Sequence, residues 1–375
     1  MSFKSLQLHE KIASNIKRAG YEQPTPIQAA SIPMALSGQD ILGIAETGTG
    51  KTAAFVLPIL QRLINGPRNK VRALIVAPTR ELAEQIHESI AELGRKTGLR
   101  SMTIYGGVGF QPQVDKLRRG FEIVVACPGR LLDHAGRKTI NLSGVEVLVL
   151  DEADRMFDMG FLPEVRKIAK LLPEARQTLL FSATMPNEVR HLADEVLKNP
   201  ETVKVSQTAM ADTVRHSLFP VDKNKKGALL LELLATTDTK SVLIFTRTKH
   251  LAQRIAEKLA KKGHKATSLQ GNLSQNRRQA AMKGFKDGTY TILVATDIAA
   301  RGIDIATVSH VINYDMPRTV EDYTHRTGRT GRARRSGDAF SMITGDDRAV
   351  VRQIEKILRA KIERRAVEGL TSNAA

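Results

Sequence analysis

The chain has 375 residues, 42 % of them hydrophobic, which is long for one ordinary domain and enough to fill the cores of two. Its 57 Lys and Arg against 39 Asp and Glu leave a formal charge of +18, which suits a polyanionic partner, nucleic acid first, although solvated basic faces would give the same total. The single cysteine, Cys127, excludes an internal disulfide framework and a zinc site of several thiolates, and no stretch has the length of a membrane span or the pattern of a secretory signal, so a soluble, cytoplasmic chain with no membrane partner is expected.

The first chemical signal is at residues 41–63. The apolar run ILGI (41–44) reads as a strand, AETGTGKT (45–52) as a loop, and residues 53–63 continue at helical spacing. Gly48 and Gly50, preceded by Thr47 and Thr49 respectively, let backbone N–H groups turn toward a phosphate, and the following helix adds its positive end. Lys51 then reaches the β and γ phosphates of ATP, and the Thr52 hydroxyl is placed for Mg²⁺. Ala45 stands where the usual pattern has glycine, so the match is imperfect, and a flexible turn can produce such a match by chance.

Residues 145–150 form an apolar strand ending in the acids Asp151, Glu152 and Asp154. At the carboxyl end of a parallel strand these share a rim with the phosphate loop, so Asp151 can hold Mg²⁺ through water and Glu152 can orient and deprotonate the attacking water. A helix N-terminus decorated with favourable negative charge would explain the acids alone, but not their pairing with a phosphate loop.

The chain also repeats itself. ALIVAPTRELAEQI (73–86) matches VLIFTRTKHLAQRI (242–255), and IVVA (123–126) matches ILVA (292–295), both 169 residues apart; residues 147–151 have a looser counterpart in 310–315. Short β-branched runs alternating with amphipathic helices indicate parallel strands covered by helices, so the fold class is α/β, two tandem domains, 1–205 and 213–375, joined by a polar linker at 206–212. Ligands of such sheets sit beyond the carboxyl ends of the strands.

In the second half, HRTGRTGR (325–332) carries arginines 326, 329 and 332. Guanidinium forks stabilise charge on phosphate oxygens, and Arg329 and Arg332 are the expected fingers, with an Arg- and Gly-rich RNA-binding loop as the competing reading. Residues 348–365 read as a basic amphipathic helix packed on its own domain.

Six motifs now stand in order: AETGTGKT, PTREL (78–82), DEAD (151–154), SAT (182–184), ARGID (300–304) and HRTGRTGR. With them the chain resembles the DEAD-box RNA helicases of superfamily 2, from residue 3 to about 365, and looks like a minimal bacterial member, most similar to the RhlE type. The resemblance implies two RecA-like domains and an ATP-dependent RNA helicase whose RNA-stimulated ATP hydrolysis drives local, sequence-independent unwinding of short duplexes or remodelling of RNA–protein complexes. It implies a Q motif at 20–28 in which Gln28 reads the adenine edge, Thr25 assists and Tyr21 and Phe3 pack on the base, although ordinary core packing would also account for each aromatic. It places Asp304 at the ribose and makes Asp154, Ser182, Thr184 and His325 the groups coupling hydrolysis to strand separation. For RNA it points to Pro78, Thr79, Arg80, Gly106, Gly107, Pro128, Gly129 and Arg130 in the first domain, and to Thr246, Arg247, Gly271, Thr296 and Asp297 in the second.

Cys127 departs from the family, which has threonine there. With 4 % aromatic residues and no Trp, backbone contacts to single-stranded RNA and short duplexes are expected over base stacking. Ribosomal or RNA-decay proteins are the partners the family suggests. An ATP-gated RNA clamp or assembly scaffold needs the same motifs, and a DNA translocase of the same superfamily differs only in contacts to the 2′-hydroxyl.

Overall fold

The computed structural model describes residues 2–46, 48–205, 214–237, 240–297, 308–331 and 336–370. The chain divides into two compact units, Met1–Gln207 and Thr208–Ala375. The expected linker, 206–212, lies outside the described residues.

The first unit opens with a 3-10 turn, Phe3–Leu6, followed by α1 (Glu10–Arg18), α2 (Pro26–Leu36), β1 (Ile41–Ile44), α3 (Lys51–Leu63), β2 (Ala73–Val76), α4 (Arg80–Leu93), β3 (Ser101–Ile104) and α5 (Phe110–Arg118). It continues through β4 (Ile123–Ala126), α6 (Pro128–Gly136), β5 (Val147–Leu150), α7 (Ala153–Asp158), α8 (Leu162–Lys170), β6 (Gln177–Ser182), α9 (Asn187–Val196) and β7 (Glu201–Lys204). The seven strands lie parallel in the order β3-β4-β2-β5-β6-β1-β7.

Sequence explains this order locally. β2, β4 and β5 are apolar at every position and buried on both faces, as central parallel strands must be. The edge strands are polar: β3 alternates, and β7 buries only Val203. Alternate residues of β2 enter different cores, Ala73 and Ile75 joining Phe55, Leu60 and Phe181 on one face, Leu74 and Val76 joining Leu148, Leu150 and Val165 on the other.

The second unit contains β8 (Val214–Pro220), α10 (Lys226–Thr236), β9 (Val242–Phe245), α11 (Lys249–Lys261), β10 (Ala266–Leu269), α12 (Gln275–Lys286), β11 (Ile292–Ala295), β12 (His310–Asn313), α13 (Val320–Thr327), β13 (Gly337–Ile343), α14 (Arg348–Leu358) and β14 (Glu363–Arg364). Its parallel sheet runs β10-β11-β9-β12-β13-β8-β14. Position by position this is the order of the first sheet. The matched segments of the sequence repeat, β2 with β9 and β4 with β11, occupy equivalent places, and β5 and β12 hold the same slot beside them.

The helix expected over 348–365 is shorter. It stops at Leu358, where Arg359 turns left-handed (φ 52°, ψ 24°). Ile362 then tucks into the core, and β14 pairs with β8. The Glu355 carboxylate holds the turn, accepting from the Ile362 N–H and from Arg364 at 3.0 Å each. Residues 359–365 (RAKIERR) have one large apolar side chain and cannot continue the buried stripe of Val351 and Ile354. Among the described residues no helix is long and apolar enough to cross a membrane.

Candidate functional site

The carboxyl ends of the first sheet gather most of the expected groups. β1 runs into the phosphate loop, and Ala45 extends it by one rung, its N–H donating to Ser182 O at 2.9 Å. The Ala45 side chain is buried in the core, so this position is a strand end that needs no glycine. Gly48 and Gly50 both take positive φ, 85° and 94°. At Gly50 the space is closed as well, since a Cβ there would strike the Gln28 amide. Thr49 Oγ1 donates to Glu46 O at 2.7 Å and ties the loop to its own start. Thr47 lies outside the described residues.

α3 begins at Lys51, whose ammonium is buried and, among the described residues, makes no hydrogen bond, although the charge of Asp151 acts on it. A buried ammonium without a hydrogen bond is costly, so its surroundings suit an anion such as a phosphate. Thr52 is half-buried one residue further on. Gln28 is 1 % exposed and braces the loop: its Nε2 donates to Gly50 O at 3.0 Å, and its Oε1 accepts from the Thr25 N–H at 3.0 Å. Thr25 is the N-cap of α2. Phe3 and Tyr21 meet edge to face, centroids 6.1 Å apart.

Asp151 follows β5 and is 2 % exposed. Burial pushes its carboxyl up to about 7; the nearby Lys51 charge opposes that rise, and Glu152 and Asp154 add to it. Glu152 adopts left-handed backbone, φ 54° and ψ 55°, a region few non-glycine residues occupy. Its Oε2 accepts from Arg155 Nη1 at 3.1 Å in a buried ion pair. Asp154 carries the link to the SAT segment: its Oδ2 accepts from the N–H groups of Ala183 (3.2 Å) and Thr184 (2.8 Å) and from Thr184 Oγ1 (3.0 Å). In return Ser182 Oγ accepts from the Asp154 N–H at 3.0 Å and donates to Thr184 O at 2.7 Å. Among the described residues no cluster of three or more His, Cys, Asp or Glu is placed to hold a metal. One buried carboxylate beside a phosphate loop and a threonine hydroxyl is the donor set that suits Mg²⁺, which keeps waters and takes its other ligands from phosphate.

A second group forms on the same rim. Thr79 caps α4, its Oγ1 accepting from the Leu82 N–H at 3.3 Å, and Arg80 packs its guanidinium on Gly107, where a Cβ would collide with it. Pro128, Gly129 and Arg130 open α6, and Arg130 Nη1 donates to Val108 O at 3.1 Å. Pro78, Thr79, Arg80, Gly106, Gly107 and Arg130 thus come together. Cys127 is the N-cap of α6 and makes no side-chain cap. Burial pushes its thiol up to about 12, which keeps it protonated and unreactive.

In the second unit, Asp304 and Arg332 lie outside the described residues. Arg329 is 4 % exposed and His325 half-buried. Arg326, which sequence reasoning set aside as a finger, is 3 % exposed and grips Asp297 with both arms of its fork, at 2.6 and 2.8 Å. It also donates to Asn313 Oδ1 (3.0 Å) and Asp315 O (2.6 Å) and lies over the Phe245 ring. Asp297 is therefore held from within its own unit. The Thr246 hydroxyl is buried, donating to Thr248 O at 3.3 Å, while its neighbour Arg247 is exposed, with its backbone N–H on Asp315 Oδ2 at 2.9 Å. Gly271 is exposed and Thr296 half-buried at the end of β11. Arg155, Asn313 and Asp315 were missed in the sequence because their roles depend on partners distant in the chain or on side-chain direction.

A parallel sheet with a glycine loop over a buried lysine after one strand, and a buried acidic pair after another, defines the class of nucleotide-hydrolysing α/β proteins. Family models for the DEAD/DEAH box helicase and the helicase conserved C-terminal domain match residues 25–192 and 225–334. Proteins named DEAD-box ATP-dependent RNA helicase CshA from Geobacillus kaustophilus and Bacillus subtilis are 42 % and 40 % identical over 97 % of this chain, which spans 78 % and 74 % of theirs. Saccharomyces cerevisiae Dbp5 bound to RNA and ADP BeF3 superposes with a TM-score of 0.86 at 31 % identity, covering 98 % of this chain and 95 % of that one. Mss116p bound to ssRNA and AMP-PNP does so at 0.86 and 30 %, covering 98 % and 80 %. The chain belongs to the DEAD-box helicases: it is an ATP-dependent RNA helicase with two RecA-like domains.

Proposed function

We propose that the protein opens short RNA duplexes locally and without regard to sequence, by a cycle in which ATP and RNA draw its two domains together. The observation that carries this reading is the buried Lys51 ammonium, which makes no hydrogen bond among the described residues and whose charge acts on the buried Asp151. Lys51 and the loop N–H groups bind the β and γ phosphates. Asp151, with Thr52, would hold Mg²⁺, which would neutralise charge on those phosphates. Glu152 takes a proton from the attacking water as its oxygen bonds to the γ phosphorus. The bond to the bridging oxygen breaks, and its electron pair leaves with ADP. Arg329 and Arg332, carried by the second domain, stabilise the transferring phosphoryl group on closure.

Gln28, Thr25, Tyr21 and Phe3 select adenine, and Asp304 meets the ribose. The rim from Pro78 to Arg130, with Arg247, Gly271, Thr296 and Asp297, holds one RNA strand by its backbone, which positions without reading sequence. Asp154, Ser182, Thr184 and His325 relay closure to that strand. The boundaries 1–205 and 213–375 with linker 206–212, and a cytoplasmic location, belong to the same proposal, as do ribosomal or RNA-decay partners. The finer assignment to the RhlE type rests on the sequence alone, since the relatives above carry the name CshA; a tree containing both types decides it.

The test is release of a labelled strand from a short RNA duplex and from a DNA duplex of equal sequence, with ATP, for wild type and Lys51→Asn. RNA release that needs both ATP and Lys51 is expected. Equal release of DNA refutes RNA selectivity, and long retention on RNA with no strand release converts the protein to an ATP-gated clamp.

A further inference from the structure

We infer that Arg155 is a positioning residue for ATP hydrolysis, holding the Glu152 carboxylate where it can take the proton of the attacking water. The inference rests on the general-base reading of Glu152. Glu152 precedes the first turn of α7 in left-handed backbone, so helix geometry does not fix where its side chain points. Something else must fix it. Arg155 Nη1 reaches Glu152 Oε2 at 3.1 Å, and the two side chains are 7 % and 8 % exposed.

Charge gives a second reason. Asp151 and Asp154 flank Glu152, all three acids are buried, and a buried carboxylate among like charges is held only with a compensating cation. Arg155 is rooted for that task. Its N–H donates to Asp154 Oδ1 and to Glu152 O at 3.0 Å each, on the same turn that grips the SAT segment.

The pair lies within one turn of one unit. The bond occupies Oε2 and leaves Oε1 to accept the proton. A lysine would supply the charge without the rigid fork.

The experiment measures RNA-stimulated ATP turnover at saturating RNA for Arg155→Met, Arg155→Lys, Glu152→Gln and the double variant Glu152→Gln/Arg155→Met, with thermal unfolding of each. Arg155→Met is expected to lower kcat at least about tenfold, within the range a general base contributes, with KM for ATP changed less than about twofold. Arg155→Lys should recover part of the loss. Because Arg155 acts through Glu152, adding Arg155→Met to Glu152→Gln should deepen the loss less than about twofold, a signature of residues acting as one unit. The double variant has no carboxylate charge to strand, so it reports even where Arg155→Met folds poorly. Full kcat in Arg155→Met, a parallel rise in KM, or an equal fold loss in both backgrounds overturns the inference. Retained turnover in Glu152→Gln overturns the general-base reading itself.

Discussion

Asp154 Oδ2 accepts from Thr184 twice, from its N–H at 2.8 Å and from its Oγ1 at 3.0 Å, which with the Asp154 N–H on Ser182 Oγ joins the acidic segment after β5 to the SAT segment at the end of β6. On the proposed reading, a shift of the acids during hydrolysis is transmitted to residues 182–184 through these bonds. Thr184→Ala removes one of these bonds and leaves Asp151, Glu152 and Lys51 intact. Strand release is expected to slow about tenfold, the equivalent of about 1.4 kcal/mol lost from a bond to a charged acceptor, while ATP turnover falls less. Parallel turnover and strand-release assays check it; equal loss of both would place Thr184 in hydrolysis itself.

Cys127 gives a stability prediction. Thr79 and Thr248 cap α4 and α11 through their hydroxyls, at 3.3 and 3.2 Å, whereas Cys127 at the start of α6 makes no such bond. Cys127→Thr restores a cap and should stabilise the first domain by about 1 kcal/mol, seen as a rise of about 2–4 °C in its melting temperature.

Arg326 separates structure from catalysis within one motif. Its fork satisfies Asp297 and the fully buried Asn313. Arg326→Ala leaves both without it and should destabilise the second domain by about 3 kcal/mol, measured by urea unfolding. Arg326→Lys should also lose stability, since one ammonium cannot span both partners.

The RNA rim predicts a salt effect. If Arg80 and Arg130 contact phosphates, replacing either with Met should reduce the slope of log affinity for single-stranded RNA against log salt by about 0.7, alike for different RNA sequences. Fluorescence anisotropy over a salt series checks this.

His216 sets a pH dependence. Its ring bonds Tyr323 Oη at 2.8 Å, and burial lowers its pKa to about 4, against an ordinary value near 6.5. Between those values the unfolded chain binds a proton that the folded chain refuses, so stability is full above 6.5 and falls as pH drops toward 4. Urea unfolding from pH 7.5 to 4.5 should show that decline, and His216→Gln should flatten it.

Much of this was legible in the sequence, for reasons that differ by residue. Strands β2, β4 and β5 announce themselves because both faces are buried, and the repeat fixes their counterparts in the second sheet. The phosphate loop and the acids read clearly because backbone geometry and charge demand those residue types at that spacing. Ala45 looked like a flaw only while its place was unknown; as a buried strand end it needs no glycine. What the sequence concealed depends on where side chains turn: Arg155 back onto Glu152, Arg326 onto Asp297, the Thr246 hydroxyl inward. The helix expected over 348–365 reads as longer than it is because Ile362 stands at helical spacing from Leu358, yet it reaches the same core from a turn begun by the left-handed Arg359.

The central claim is that the acids after β5 and the loop around Lys51 form one hydrolytic site driven by RNA. It is tested most directly by single-turnover ATP hydrolysis with and without single-stranded RNA for wild type and Glu152→Gln. RNA-stimulated turnover is expected in wild type, and a loss of about a hundredfold or more in Glu152→Gln, with ATP still bound. Turnover in Glu152→Gln equal to wild type, or turnover in wild type indifferent to RNA, would contradict it.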